Sequence, residues 1–253
     1  MKKWISVLAT ALMAFAFTSC FNLDDGSPYV RDYKCMATVT TGGVNPVFCR
    51  DNGVFLTPED AQPADTFQVG ERYFLHFIYG DTINHTANSY PVVFYRYGKT
   101  TIKDLEILPK DSTDKWEDQP VTIYDIWYSG QYCNFFFASY AGMTTPNTFE
   151  LVRIKESEST TPTDTVPKLN FELRHNVASI FTAIYYLRFL SFNLSSLSTE
   201  FPNAKRFAIN LSWKEMNKGT LTFPGIYTPN QIFSDSPYLS PNRKQATFSP
   251  TPF

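Results

Sequence analysis

The chain has 253 residues and a formal net charge of −2, a length that allows one large domain or two ordinary ones. Its mild acidity argues against nucleic acid as a partner, because nucleic-acid binding depends on cationic side chains that neutralise phosphates. Charged residues make up only 18% of the chain, whereas aromatic residues reach 17%. Tyr, Phe, Thr and Val outweigh the strong helix formers, so the composition favours β-strands.

The first twenty residues, MKKWISVLATALMAFAFTSC, have the pattern of a bacterial lipoprotein signal peptide. Two lysines precede an apolar run that is too short to cross a bilayer, which needs roughly 20 apolar residues. Small residues then stand directly before Cys20. The pattern predicts that residues 1–19 are removed and that acylated Cys20 anchors the chain in a lipid bilayer. The alternative is an ordinary cleaved signal in which Cys20 has no special role.

Asp24 and Asp25 follow the predicted anchor closely. Acidic residues at this place resemble the signal that sends lipoproteins to the outer face of the outer membrane in some anaerobic Gram-negative bacteria. A solvated tether explains them equally well. The predicted location is therefore the cell envelope, as an outer-membrane lipoprotein whose periplasmic or surface-exposed face stays open.

Five or so strands are predicted in the first half, with no helix of appreciable length. Asp51-Asn52-Gly53 is a strong tight-turn signal between two of them. Such an arrangement indicates a small barrel or sandwich. The predicted strands are Lys34–Thr40, Val47–Arg50, Val54–Leu56, Arg72–Tyr79, Ser89–Tyr97 and Lys99–Leu108.

Seven strands are predicted in the second half. Their period-two alternation indicates an antiparallel sandwich in which each sheet has one solvent-exposed face. Leu169, Phe171 and Leu173, for example, alternate with polar residues. The predicted strands are 121–128, 132–140, 148–155, 169–175, 184–192, 206–213 and 220–227.

Polar and proline-rich stretches suggest the boundaries between these parts. The predicted organisation is a signal peptide at 1–19, lipidated Cys20 with a tether at 20–32, a barrel domain at 33–108, a linker at 109–119, a β-sandwich domain at 120–229 and a Pro-, Ser- and Asn-rich tail at 230–253.

Cys35 and Cys49 flank a turn at Gly42, each seven residues away from it. A hairpin centred on Gly42 would place the two thiols opposite each other, within the reach of a disulfide, which an exported protein can form. Two small buried thiols are the alternative. Cys133 would then be unpaired and buried.

Catalytic and metal-binding patterns are missing from the sequence. His76, His85 and His175 do not form a ligand-spaced pair with another histidine or a cysteine, and there is no HExxH, CxxC or GxSxG. Acidic pairs such as Glu59/Asp60 and Glu156/Glu158 fall in polar segments, where solvated charges are the simpler explanation. We therefore expect no cofactor, no metal and no enzymatic activity.

Several segments together resemble a known family. DNGVFLTPEDA and VGERYFLHFIYG resemble the N-terminal OB-like domain of NigD-like lipoproteins, and VTIYDIWYSGQYCNFFFASY, TFELVRIKE, LNFELRHN and RFAINLSWKE resemble the C-terminal β-sandwich domain of that family. The resemblance implies an all-β chain, with an OB-like barrel followed by an Ig-like sandwich on a lipid anchor. It also implies a bacteriocin-immunity role, which rests on the family's name.

Two functions follow as expectations. The first is a non-enzymatic envelope lipoprotein that binds a surface partner or acts as a bacteriocin-immunity-type protein. The second is a carbohydrate-binding accessory lipoprotein, since OB folds bind oligosaccharides on one sheet face. Aromatic residues that could form such a face, unless they build the barrel core, are Tyr73, Phe77, Tyr79, Tyr95 and Tyr97. An envelope protein or a glycan is therefore the expected partner, and nucleic acid is not.

Thr165 lies in the polar loop ESESTTPTDTVP. Asp164-Thr165-Val166 resembles the short acceptor triplet used for O-glycosylation of exported proteins in anaerobic Gram-negative bacteria. Similar triplets at Asp81 and Asp111 are weaker candidates, and such triplets also arise by chance.

Overall fold

The computed structural model describes residues 33–63, 66–80, 89–108, 119–141, 148–155, 158, 161–176 and 184–229. These residues form thirteen strands and one short helix. The strands are β1 (Tyr33–Thr41), β2 (Val47–Arg50), β3 (Phe55–Pro58), β4 (Arg72–Tyr79), β5 (Ser89–Asp104), β6 (Glu106–Leu108), β7 (Thr122–Ser129), β8 (Tyr132–Ala141), β9 (Thr148–Ile154), β10 (Lys168–Asn176), β11 (Ile184–Asn193), β12 (Phe207–Glu215) and β13 (Gly219–Tyr227), and the helix α1 is Ser195–Glu200.

Strands β1–β5 close into a ring. β1 pairs with both β2 and β4, β4 pairs with β5, and β3 pairs with β2 in antiparallel and with β5 in parallel. Alternate side chains point into the ring, where full burial of each large apolar group contributes about 1.5–3 kcal/mol. The buried cluster comprises Cys35, Ala37, Val39, Phe48, Leu56, Phe67, Tyr73, Leu75, Phe77 and Val92.

β5 continues beyond the ring and joins the second half of the chain. Thr101 to Asp104 pair in parallel with Leu190 to Asn193 of β11. The result is one eight-stranded sheet with the order β3-β2-β1-β4-β5-β11-β8-β7. The two domains expected from sequence therefore share a sheet, and the described residues belong to a single compact unit.

A second sheet has five strands in the order β13-β12-β10-β9-β6. It packs against the β7, β8 and β11 part of the large sheet around one apolar core. That core includes Phe135, Phe192, Leu173, Leu211 and Trp213, which are at most 8% exposed. A β-sandwich is therefore confirmed for the second half.

The expectation of a purely antiparallel sandwich is wrong. β10 pairs with β12 in parallel, and β6 pairs with β9 in parallel. The chain leaves β10 for β11 in the opposite sheet before it returns as β12, so β10 and β12 run in the same direction. The helix α1, which the sequence patterns did not indicate, follows β11 and buries Leu197 in the core.

The hairpin register expected around Gly42 is also wrong. Cys49 lies opposite Thr38, three residues away from Cys35, and Cys35 lies opposite Leu75 of β4. An odd offset along a strand places side chains on opposite faces of the sheet. Accordingly, Cys35 and Cys49 are not disulfide-bonded to each other.

Candidate functional site

Arg72 lies where the ring meets the sandwich, and its side chain is 1% exposed. Its Nε donates to Ser191 Oγ at 3.1 Å, and its Nη1 donates to Thr38 Oγ1 at 2.9 Å. Its Nη2 lies 2.9 Å from both carboxylate oxygens of Asp51 and 3.0 Å from Asn134 Oδ1. One guanidinium therefore binds residues of β1, the β2–β3 turn, β8 and β11.

The partners of Arg72 bind one another as well. Trp127 Nε1 donates to Asp51 Oδ2 at 3.0 Å, and Ser191 Oγ donates to Asn134 Oδ1 at 2.8 Å. The ring of Tyr132 covers the guanidinium, with its centroid 4.3 Å from Cζ. Because all three guanidinium nitrogens are used by the protein, this cluster, which we call the Arg72 clamp, needs no ligand.

Local sequence explains how Asp51 reaches the clamp. The Asp51-Asn52-Gly53 turn places Gly53 at φ 78°, a backbone conformation that glycine adopts without steric cost. Gly53 N donates to Arg50 O, and Val54 N donates to Asn52 Oδ1. The tight turn expected from sequence is confirmed, and it holds the carboxylate of Asp51 against the sandwich.

Four aromatic rings stand in a row beside the Arg72 clamp, on the same face of the eight-stranded sheet. The ring centroids of Phe74 and Phe189 are 4.6 Å apart, those of Phe189 and Phe136 are 4.6 Å apart, and those of Phe136 and Tyr124 are 5.3 Å apart. The first two pairs are stacked with interplanar angles of 15° and 14°. All four rings are half-buried. Since ring faces meet ring faces within the row, it offers few free faces on which a sugar could stack.

The aromatic face expected from sequence is not formed as predicted. Tyr73 and Phe77 are 4% and 0% exposed in the core of the ring. A β-bulge follows His76, so that Tyr95 packs on His76 while Tyr97 packs on Phe67. Tyr95 and Tyr97, which were expected to share a face, therefore lie on opposite faces.

A second buried charged cluster lies in the sandwich. Arg153 is 2% exposed and forms a forked pair with Glu158, with Nε and Nη2 at 3.0 and 2.7 Å from Oε2. Its Nη1 donates to Glu200 at 2.6 Å, and Glu158 Oε1 also accepts from Asn170 N at 2.9 Å. The expectation that Glu158 is a solvated loop charge is therefore wrong.

The histidines in the described part of the chain pack against aromatic rings. His175 is 2% exposed and stacks on Phe149 with centroids 4.3 Å apart, and burial lowers the pKa of its imidazole to about 4. His76 packs edge-on against Tyr95. His85 lies outside the described residues. Within the described ranges, no group of three or more His, Cys, Asp or Glu side chains could hold a metal ion.

The thiols lie in environments that disfavour the thiolate. Cys133 is 0% exposed, and burial raises its pKa well above the usual value for a cysteine. Burial also raises the pKa of Cys49. A thiolate is the reactive form of cysteine, so neither position has the electropositive, accessible surroundings of a nucleophile.

A depression of about 500 Å³ lies on the outer face of the five-stranded sheet. Asn170 and Asn210 are neighbours across the β10–β12 pair, and Pro224 is the partner of Asn210 on β13. Lys168 and Ile226 complete the exposed rim. Nothing in the sequence patterns singled out this place, because its residues come together only through the parallel β10–β12 pair.

Thr165 is exposed, as a modification site must be. The neighbouring carboxylate of Asp164 accepts hydrogen bonds from the backbone N–H of Thr161, at 2.9 Å, and from its hydroxyl. Cys20, Asp24 and Asp25 lie outside the described residues. In the part of the chain that is described, no helix has the length and apolarity needed to cross a membrane.

Comparison with known proteins identifies the second half. Residues 104–224 match the family described as the NigD-like C-terminal beta sandwich domain. The chain therefore contains a NigD-like C-terminal beta sandwich domain. The matched region begins within β5, so the NigD-like domain includes the end of the strand that the ring and the sandwich share.

Solved structures with the same fold come from species of Bacteroides. A protein of unknown function from Bacteroides vulgatus is 22% identical with a TM-score of 0.65, and the match covers 78% of this chain and 91% of that one. A NigD-like immunity protein from Bacteroides caccae is 15% identical with a TM-score of 0.53, and the match covers 80% and 98%. At these identities the likeness shows the fold alone. No curated protein matches the chain.

Proposed function

We propose that this NigD-like protein is a non-enzymatic lipoprotein of the cell envelope that protects the cell by binding a toxic protein, as a bacteriocin-immunity-type protein. Acylated Cys20 would hold it at the outer membrane. The family assignment of residues 104–224 and the fold shared with a NigD-like immunity protein support this function.

The Arg72 clamp is the observation on which the proposal mainly rests. Its buried polar groups bind one another and fix the ring to the sandwich, so the two halves present one rigid surface. A binding protein gains affinity from such rigidity, because little conformational freedom is lost when the partner binds.

A protection assay tests this function. A deletion strain would be challenged with bacteriocins secreted by neighbouring strains, with and without the gene restored. We expect the deletion to increase sensitivity, wild type to restore protection, and Cys20→Ala to restore little because the protein leaves the membrane. Equal sensitivity of the deleted and restored strains to every bacteriocin would refute an immunity role.

We further infer that the ring β1–β5 is the OB-like barrel that the family resemblance implies. The support is its strand order, in which β3 pairs with β2 on one side and with β5 in parallel on the other, which gives a closed five-stranded barrel. An experimental structure of the chain with a strand order that leaves β3 and β5 unpaired would contradict this assignment.

Glycan binding is a second candidate function, and it now rests on the depression in the five-stranded sheet. Asn170 and Asn210 offer amide donors and acceptors beside the apolar side chain of Ile226 on the rim, a combination that suits a neutral sugar. Ala208→Trp should fill the depression and abolish binding to neutral oligosaccharides in calorimetry, whereas Thr222→Trp, on the same face outside it, should not. Equal affinities of the two variants would exclude this site.

We also propose that Thr165, which is exposed, is a site of O-glycosylation; the triplets at Asp81 and Asp111 lie outside the described residues. The test is mass spectrometry of the protein purified from its native envelope, with Thr165→Ala as the control. A peptide that carries no glycan at this position would refute the assignment.

A further inference from the structure

Exposed apolar side chains gather at one end of the eight-stranded sheet. Tyr95 is 57% exposed, Leu187 is 62% exposed, and Tyr140 and Tyr186 are 41% and 43% exposed. They belong to β5, β8 and β11, which lie side by side in the sheet. We call this set, together with the cations described below, the strand-end patch.

The strand directions show that these residues lie at the same end. β4 is antiparallel to β5, and β5 is parallel to β11, so β4 and β11 run in opposite directions. Phe74 of β4 and Phe189 of β11 are in contact. From this contact, His76 lies two residues further along β4, and Leu187 lies two residues back along β11. Because the two strands run in opposite directions, both residues lie at the same end of the sheet, and Tyr95 packs on His76 there.

Exposed cations border the patch. Lys34 lies opposite His76 on β1, and Arg96 lies opposite His76 on β5. Directly paired residues point to the same side of a sheet, so both cations share a face with the ring of His76. Arg188 of β11 is half-buried, and its guanidinium lies 5.6 Å from the ring centroid of Tyr186 on the same strand.

The chain enters the fold at this same end. β1 begins at Tyr33, which lies opposite Phe77 near the end of β4. Residues 21–32 connect it to Cys20, and a fully extended segment of that length reaches at most about 40 Å. An anchored protein therefore carries the strand-end patch close to the bilayer, at a high effective concentration.

We propose that the strand-end patch is a membrane-docking surface and that its partner is a bilayer containing anionic phospholipid. Tyrosine favours the interface between headgroups and acyl chains, because its hydroxyl stays hydrated while its apolar ring is buried. Leu187 inserts its side chain below the headgroups, while Lys34 and Arg96 contact lipid phosphates.

The test uses the anchored protein reconstituted in vesicles of phosphatidylglycerol and phosphatidylethanolamine, with phosphatidylcholine vesicles and detergent micelles for comparison. Surface labelling of tyrosine and lysine is read by mass spectrometry. On anionic vesicles, labelling of Tyr95, Tyr140 and Tyr186 should fall at least severalfold relative to micelles, whereas labelling of Lys168 and Lys214 on the other sheet should stay unchanged. Docking should weaken as the salt concentration rises.

Charge reversal supplies the matched control. Lys34→Glu with Arg96→Glu should lower the docking equilibrium at least about 30-fold. Loss of one cation near an anionic membrane costs about 1 kcal/mol, which is about fivefold, and the factors for the two positions multiply. Lys168→Glu with Lys214→Glu has the same net charge and should dock like wild type. Equal labelling of the patch in vesicles and micelles would overturn the proposal.

This inference rests on the lipid anchor of the proposed function, and the experiment separates the two. Protein that fails to insert in any vesicle contradicts the anchor, whereas inserted protein with an unprotected patch contradicts docking alone. An acidic protein is the other partner that the cations could suit. If a glutamate–tyrosine copolymer protects the patch and anionic vesicles do not, the surface binds an acidic polypeptide and the membrane proposal is wrong.

Discussion

Removing the guanidinium of the Arg72 clamp should destabilise the whole molecule. Arg72→Met keeps an unbranched side chain of similar length, yet it leaves Asp51, Asn134 and Ser191 without their main partner. Asn134 and Ser191 are both 0% exposed. Breaking a buried ion pair by removing one partner typically costs about 3–5 kcal/mol. That is a large part of the roughly 5–15 kcal/mol by which a folded protein is stable.

The assay is thermal and urea unfolding followed by near-ultraviolet circular dichroism. At about 2–4 °C per kcal/mol for a chain of this size, the midpoint of Arg72→Met should fall by roughly 6–20 °C. Lys99→Met is the matched control, because Lys99 pairs with Glu71 while its side chain is 63% exposed, and such a pair contributes about 0–1 kcal/mol.

A double-mutant cycle with Asp51→Leu would isolate the pairwise energy, since residues in one network couple by about 0.5–3 kcal/mol. The double variant Arg72→Met, Asp51→Leu should lose less free energy of unfolding than the two single variants lose when their losses are added. A loss below about 1 kcal/mol for Arg72→Met, or equal losses for Arg72→Met and Lys99→Met, would refute the clamp as a major source of stability.

Three further predictions concern other parts of the chain. Glu158→Gln should lower the free energy of unfolding by about 3 kcal/mol, because buried Arg153 loses a partner of opposite charge. Lys155→Met should lower it by less than about 1 kcal/mol, because the side chain of Lys155 is 44% exposed. Urea titration compares the two variants. Burial lowers the pKa of His175 from 6.5 to about 4, so the unfolded chain binds this proton at a higher pH than the folded chain does. Roughly 3 kcal/mol of stability should therefore be lost as the pH falls from 6.5 to 4. His175→Leu should flatten this part of the plot of unfolding free energy against pH, and an unchanged slope would contradict the prediction. Cys20→Ala should abolish labelling with a palmitate analogue and retention in membrane pellets, and a variant that still labels and pellets would disprove lipidation at this residue.

The strands were largely predictable from sequence because a half-buried strand alternates apolar and polar residues. Val47–Arg50 and Arg72–Tyr79 match their predicted bounds, and Leu169, Phe171 and Leu173 are buried as the alternation indicated. Local periodicity reports which face of a strand is buried, and most strands here have one buried face.

The pairing of strands that are distant in the chain could not be predicted from the alternation of apolar and polar residues. The predicted strands Ser89–Tyr97 and Lys99–Leu108 leave a break at Gly98, yet β5 runs through this residue. A side-chain carbon at this position would meet no atom within 4 Å. The burial of Arg72 depends on Ser191, and that of Glu158 depends on Arg153 and Asn170. These charges look solvated in the local sequence, because their partners are brought together only by the tertiary fold.

The continuity of β5 also bears on the order in which the chain can fold. A polypeptide made from its N-terminus can complete the ring β1–β5 before β11 is available. Until Leu190 arrives, Thr101 to Asp104 have no neighbour on the β11 side, and pairings between such distant parts of a chain form slowly. An unpaired strand edge recruits other chains, so this interval is when the protein is most exposed to aggregation.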